Sequence, residues 1–476
     1  HVESAPAPTQ PATEQQRPTT GGVAASSPGG GENETSPSPA GEGLPNANPG
    51  RPAESGATPL AVSRPADGSS GSETFGPLPS QGTLDPAEAK ILYVGRPEAP
   101  VPEDGMIVED LAAALGIAAE YAEIGVIELC FNGSVATKPF SLDASSLTLR
   151  AGSGFEPVLT FTPVDRVTQP GMVELVGGDV SIQGVHLRLE LPVSPADGWS
   201  LFRLRDARRL TLTGCTLTIV NVAGDGLTPL HEVAFFDIRQ TVADGMAEEM
   251  LGPIGAETRL PKAEPTTAVN LFDVVARGEA TFLDAAQTSQ LELYWLNGLL
   301  ISSEQLLFSR GAATAAKDPR ISVILEHVTA YIPKGLCSVV CETDAVQPLL
   351  DVDCRHCVVE TGELAPLLEQ RGFESLSETR GKVRFDGMWN IYPRTLNFWR
   401  LDAGDGSSAA TVSFEEWAQL WERHPPSRNA AWQAPATADV PVHRRSVANY
   451  TRLENTGDNV NYESAGFEAD DLPRLP

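Results

Sequence analysis

Four of the six cysteines lie close together as Cys337-x3-Cys341-x12-Cys354-x2-Cys357, with His356 inside the second pair. Thiolates at such spacing could close a tetrahedral zinc site, or a pair of them could oxidise to a disulfide. A third account needs neither. His356, Cys354 and Cys357 each fall on a position that other residues fill in a repeated pattern, and Cys is a common small hydrophobe in buried stacks. The expectation is buried thiols with no resident metal and no cofactor. A second set of residues is spaced for binding: Arg188, Thr218, Arg277, Ile301, Tyr331 and Glu360 share one outward position of the same pattern. Copies stacked at the separation of neighbouring strands, about 4.8 Å, would make them a ladder able to hydrogen-bond successive groups of an extended ligand. Arg188, Arg277, Tyr331 and Glu360 are its binding candidates, and a solvated or loop-covered face with ion pairs is the structural alternative. The adjoining outward position holds His186, Thr216, Val275, Leu299, Thr329 and Val358, without the carboxylate pair that a glycosidase sets against one sugar. The phosphate-cradling G-x-x-x-x-G-K-[ST] and the kinase motifs are absent, so no phosphoryl transfer is expected from these residues.

The pattern that positions these residues is clearest from Arg208 to Asn221. Leu210, Leu212, Leu217 and Ile219 alternate with threonines, and the alternation breaks at Thr213-Gly214-Cys215. Period two means strand, and a Gly at the break can take a positive φ, so two short strands meet at a tight bend. The stretch Val180 to Leu189 aligns with it, Gly184 on Gly214, and further bends fall at Asp273, Asn297, His327 and His356; a weaker copy sits at Leu147 to Gly152. Gly, Asn, Asp and His are the types that tolerate a left-handed backbone. Steps between bends of 30, 59, 24, 30 and 29 residues give one structural unit each, the 59 being read as two units with one copy blurred. Units of this size made only of strands stack on copies of themselves. Inward residues such as Leu212, Leu271, Trp295, Leu325 and Cys354 are expected to form one continuous core column.

Residues 1–83 are rich in Pro, Ser, Gly, Ala, Thr and Glu and are expected to be a disordered linker. Next come a strand at Ile91–Val94 and a helix at Met106–Glu120 with Ile107, Leu111, Leu115 and Ala118 on one face. Between about 240 and 265 the pattern lapses into a loop, and Gly404–Ser408 reads as another. Ser413-Phe-Glu-Glu416 is a capping-box signature that opens a helix with Trp417, Leu420 and Trp421 on one side. From Arg423 the tail is Pro-rich and irregular and is expected to pack along the wall of the repeats. The formal charge of −29 argues against nucleic acid and against an anionic membrane surface, and no apolar run is long enough to span a bilayer. The chain opens on His, so a removed leader or an upstream segment is expected.

The order of strand, amphipathic helix, strand, L-T-L-R-A-G-S-G at Leu147–Gly154 and V-L-T-F at Val158–Phe161 resembles the opening of the pectin-lyase-like superfamily of right-handed parallel β-helices. The resemblance covers about 89–400. It implies an all-β solenoid: a right-handed parallel β-helix over 84–400 with an N-terminal capping helix, then a C-terminal helical cap and irregular tail over 401–476. Many superfamily members cleave acidic polysaccharides, but their motifs do not carry over. The hydrolase pattern of N-x-D, D-D, G-H-G and R-x-K has its nearest echo in Gly224-Asp-Gly226 and His231, and the R-x-P-x-x-R of lyases is missing. The arrangement also resembles β-helix regions that some bacterial serine/threonine kinases and surface proteins carry outside the kinase domain. A non-catalytic domain for binding or display is therefore expected, extracytoplasmic or at the cell surface, with a polysaccharide or surface partner and with a membrane anchor or kinase domain upstream. A polysaccharide lyase or hydrolase is the alternative, and a purely structural stalk a third.

Overall fold

Leu210, Leu212, Cys215, Leu217 and Ile219 are all fully buried, so the inward spacing is two, then three, then two. The extra residue at the step of three is Gly214, whose φ is 60°. A left-handed residue turns the chain without using a side of the strand, which lets alternation resume in phase with the core. Gly184, Asp273, Asn297, His327 and His356 repeat this, with φ between 50° and 65°. Trp389 extends the series with φ 54°, although its bulk hides it from a reading based on residue type.

The computed structural model describes residues 90–451 and 465–476, leaving out segments of which 241–265 and 424–439 are the longest. The expected linker over 1–83 lies outside the described residues, as do nearly all of the 240–265 and 404–408 loops. The architecture is all-β. Among the described residues a 16-stranded sheet, a 10-stranded sheet and a two-stranded ribbon account for the strands, and three helices are short. From Asp179 onward the chain visits the larger sheet and then the smaller one in each repeat, and each visit adds a strand parallel to the previous one. Antiparallel pairing is confined to Trp399–Ala403 with Ala410–Val412, to the small ribbon, and to the isolated bridge of Val222 and Pro229.

The inward column is in register throughout. Ile182 pairs with Leu212, Leu212 with Leu271, Leu271 with Trp295, Trp295 with Leu325, and Leu325 with Cys354. Each is excluded from solvent, and each large aliphatic side chain so buried is worth roughly 1.5–3 kcal/mol relative to exposure. The direct pairing of Leu212 with Leu271 corrects the reading of the 59-residue step. It is a single repeat enlarged by an insertion, because no strand lies between Arg209–Thr213 and Thr267–Gly278 in the sheet. The bends also differ in form: in Thr267–Gly278, Gln290–Ser302 and Arg320–Tyr331 the left-handed residue sits inside one continuous strand. Rings of Phe202, Phe236, Phe282 and Trp295, stacked at the first and last contacts and edge-on between Phe236 and Phe282, with successive centroids 4.7–5.2 Å apart, tie the two sheets' cores together.

The N-terminal helix is shorter than its hydrophobic pattern suggested. Gly105–Val108 is a strand paired with Ile91–Gly95, and helix α1 spans Leu111–Glu120 behind an Asp110 cap that accepts from the Ala113 N–H at 2.8 Å. Strand alternation turns Ile107 outward, and the helix buries Leu111 and Ala114 instead. Helix α2, Leu376–Gly381, carries a capping box of Ser375 and Glu378. Helix α3, Phe414–Trp421, has the expected box of Ser413 and Glu416. Trp417 lies edge-on to Phe385 at 4.5 Å and Trp421 packs on Trp399 at 4.8 Å, whereas Leu420 points away and is 47 % exposed. No helix among the described residues is long and apolar enough to cross a membrane.

Candidate functional site

The expected ladder on the larger sheet is a register column. Arg188 pairs with Thr218, Thr218 with Arg277, Arg277 with Ile301, Ile301 with Tyr331, and Tyr331 with Glu360. Its middle is covered by the chain's own C-terminal tail. Val442, Tyr450 and Leu472 pack on Val275, Leu299 and Ile301, and Ala465 packs on Val358 and Ile391. Arg277 is buried and donates from Nη1 to the Arg445 carbonyl at 3.0 Å. The Arg445 guanidinium lies 5.1 Å over the Tyr331 ring and donates to the Tyr450 hydroxyl at 3.1 Å. Arg188 lies beside Glu190 in a half-exposed ion pair at 2.6 Å, and burial pushes the Glu360 carboxyl above its ordinary range. The tail also grips the bends: the Gly466 N–H donates to the His356 carbonyl at 2.7 Å and the Glu468 N–H to Asn297 Oδ1 at 2.8 Å.

A second anchor is buried deeper. Glu279, 2 % exposed, meets the His443 ring at 3.0 Å and accepts the His443 N–H at 3.2 Å. Burial alone would raise this carboxyl, but the bonds from His443 and Asn221 outweigh it and hold the group low. Charged or polar groups so enclosed persist only when paired. The pair pins the tail to the repeat that carries Arg277.

The four clustered cysteines are distributed by the repeat. Cys354 continues the Leu325 column, and Cys357 occupies the place of Cys215, each of the latter two thiols donating to a carbonyl one repeat away at 3.4 Å. None of the six cysteines forms a disulfide and all are buried. Burial pushes the Cys215 thiol up to about 11 and that of Cys337 higher still, and Cys354 is raised by its bond with Cys357 and by burial. Among the described residues no group of three or more His, Cys, Asp and Glu is arranged to hold a metal ion.

The open site is on the smaller sheet, away from the expected binding column. In Val233–Arg239, Phe236 and Ile238 face the core, which turns Asp237 and Arg239 outward; Leu283 pairs with Phe236, which turns Asp284 outward next to Asp237. Outward residues thus stack as Glu174, Arg203, Asp237, Asp284, Phe308 and Ser338 on successive strands. A cavity of about 480 Å³ opens on this ladder. Its walls include Trp199, Asp237, Asp284, Phe308, Arg239, Arg310, Glu304 and Lys334. Glu232, Asp237, Glu279, Asp284 and Glu304 give the lining five carboxylates against the three cations Arg239, Arg310 and Lys334.

Asp237 is ion-paired with Arg239 at 2.7 Å and with Arg203 at 3.7 Å, and Glu304 with Lys334 at 2.5 Å. Asp284 has Arg310 at 4.0 Å, and the same guanidinium lies 5.1 Å over the Phe308 ring. Burial pushes both aspartates above the ordinary carboxylate range, the arginines pull them back, and Asp237 pushes Asp284 up further. Trp199, 2 % exposed, has an indole N–H with no hydrogen-bond acceptor among the described residues. The sequence signal for this site is an acid at an outward position in each of V-A-F-F-D-I-R and T-F-L-D. The two lie on opposite sides of the 241–265 insertion, and only the register brings them together. Against family models, curated proteins and solved structures, the chain gives no match.

Proposed function

We propose that the chain is a right-handed parallel β-helix of the pectin-lyase-like kind and that it works as a non-catalytic binding domain, displayed outside the cytoplasm, for a polysaccharide. The observation that carries this reading is the cavity on the smaller sheet. Its volume lies within the range of about 300–1,000 Å³ typical of ligand sites, and its lining mixes an aromatic ring, arginines and carboxylates. A ladder of polar side chains runs past it in both directions, at a spacing of about 4.8 Å per strand, as a ligand with repeating hydroxyls would require. The ladder on the larger sheet is a poorer seat, because the tail already occupies its middle.

A second reading is favoured by one observation. Asp237 and Asp284 are neighbouring carboxylates in an enclosed site, each raised in pKa, and such pairs hydrolyse glycosidic bonds. The arginine held against Asp237 weighs against it, since a carboxylate bound in an ion pair is less free to attack or to take up a proton. Affinity electrophoresis of the full chain in gels cast with polysaccharides tests the binding reading. Retardation should be lost on Phe308→Ala and kept on Arg188→Ala, which alters the other sheet. Equal retardation of the two variants would sink the assignment to this cavity.

A further inference from the structure

We infer that the cavity on the smaller sheet selects a sugar carrying a free amine over one carrying a carboxylate. The inference rests on the glycan-binding reading above and narrows it to a ligand class. Three of the aspartate and glutamate side chains in the lining have a close cationic or imidazole partner: Asp237, Glu304 and Glu279. Asp284 is held less closely than these three. Its Arg310 contact is 4.0 Å long, and among the described residues no donor reaches its buried Oδ1. The cavity lining therefore includes a carboxylate oxygen and an indole N–H that each have no hydrogen-bond partner among the described residues.

An ammonium group supplies three donors and the complementary charge for Asp284, and a neighbouring sugar hydroxyl or ring oxygen accepts from Trp199. A uronate does the opposite. It would bring a further negative charge into a lining where carboxylates already outnumber cations five to three, and where Lys334 is engaged by Glu304. Like charges brought together at an interface suppress the wrong partner. A simple N-acetyl sugar would fill the space without supplying the charge.

The test is titration calorimetry of the full chain with three trisaccharides of glucosamine, N-acetylglucosamine and galacturonate, at pH 6 and 0.15 M salt. Short ligands are needed because a long polycation would be drawn to a chain of charge −29 anywhere on its surface. The glucosamine trimer should bind at least tenfold tighter than the acetylated one, with the uronate weakest. Asp284→Asn should abolish that preference while keeping affinity for the acetylated trimer and an unchanged melt. Glu292→Gln removes the same charge from an exposed site on the other sheet and should leave the preference intact. Equal binding of amine and acetylated trimers, a preference that survives Asp284→Asn, or a uronate that binds tightest would each overturn the inference while leaving glycan binding in place. Failure of all three to bind would overturn the underlying reading together with it.

Discussion

Side-chain sizes along the core are matched residue by residue. Trp295 stands where other repeats have Leu212, Leu271 and Leu325, and the extra volume has to be found nearby. It is found at Gly298, the position filled elsewhere by Val274, Val328 and their neighbours, where an added methyl would overlap the Trp295 indole. Gly298→Val should therefore cost about 1–3 kcal/mol in wild type, as overpacking does, and much less in a Trp295→Leu background. Equal costs in the two backgrounds, read from denaturant midpoints, would refute the compensation. At the last repeat Gly387 leaves room in the same way for Glu422, which accepts from the Tyr392 hydroxyl at 2.6 Å. Burial pushes the Glu422 carboxyl from 4.5 up to about 7. A carboxyl raised on folding contributes stability that is whole below about pH 4.5 and is lost as pH rises through about 7. At about 1.4 kcal/mol per unit this amounts to about 3 kcal/mol. Glu422→Gln should flatten the fall in melting temperature between pH 5 and 8; an undiminished slope would mean the group titrates normally.

The element that most changes the functional reading is the tail. A tail packed along the wall of the repeats was expected, but its irregular, Pro-rich sequence has no period to say that residues 440–476 would cover the outward face of Val275, Leu299 and Ile301. Those three apolar residues, on two adjoining outward columns, were the available signal, since bare aliphatic patches on a sheet need a cover. Arg445 is the clasp: it joins Arg277, Tyr331 and Tyr450 across more than a hundred residues of sequence. Arg445→Ala should raise amide exchange in residues 440–451 at least tenfold while leaving the strand Thr267–Gly278 protected. Unchanged exchange in the tail would show that the apolar contacts hold it alone. The helices were legible to different degrees for a local reason. Helix α3 carries a strong S-x-x-E cap and paired tryptophans, whereas α1 follows a strand whose apolar residues mimic helical spacing.

For the molecule as a whole, the repeat of the larger sheet could be read from sequence because its bend demands particular residue types and its strands alternate cleanly. Column membership followed, from Arg188 to Glu360 outward and from Leu212 to Cys354 inward. The smaller sheet could not be read in the same way. Its strands are as short as three residues, the left-handed residues that end two of them, Gly177 and Asp206, do not recur after Val233–Arg239 or Thr281–Asp284, and neighbouring residues such as Phe235 and Phe236 are both buried, which blurs the alternation. The candidate site lies on that sheet, and so its residues had to come from the structure. The most direct test of the account is to incubate the full chain with a panel of polysaccharides, with and without calcium, and to follow retained polysaccharide and released reducing ends or unsaturated products in the same samples. Retention without release, weakened about tenfold or more by Arg310→Ala, is the outcome expected of a binding domain that uses this cavity. Product release abolished by Asp237→Asn or Asp284→Asn would instead make the chain an enzyme and contradict the account.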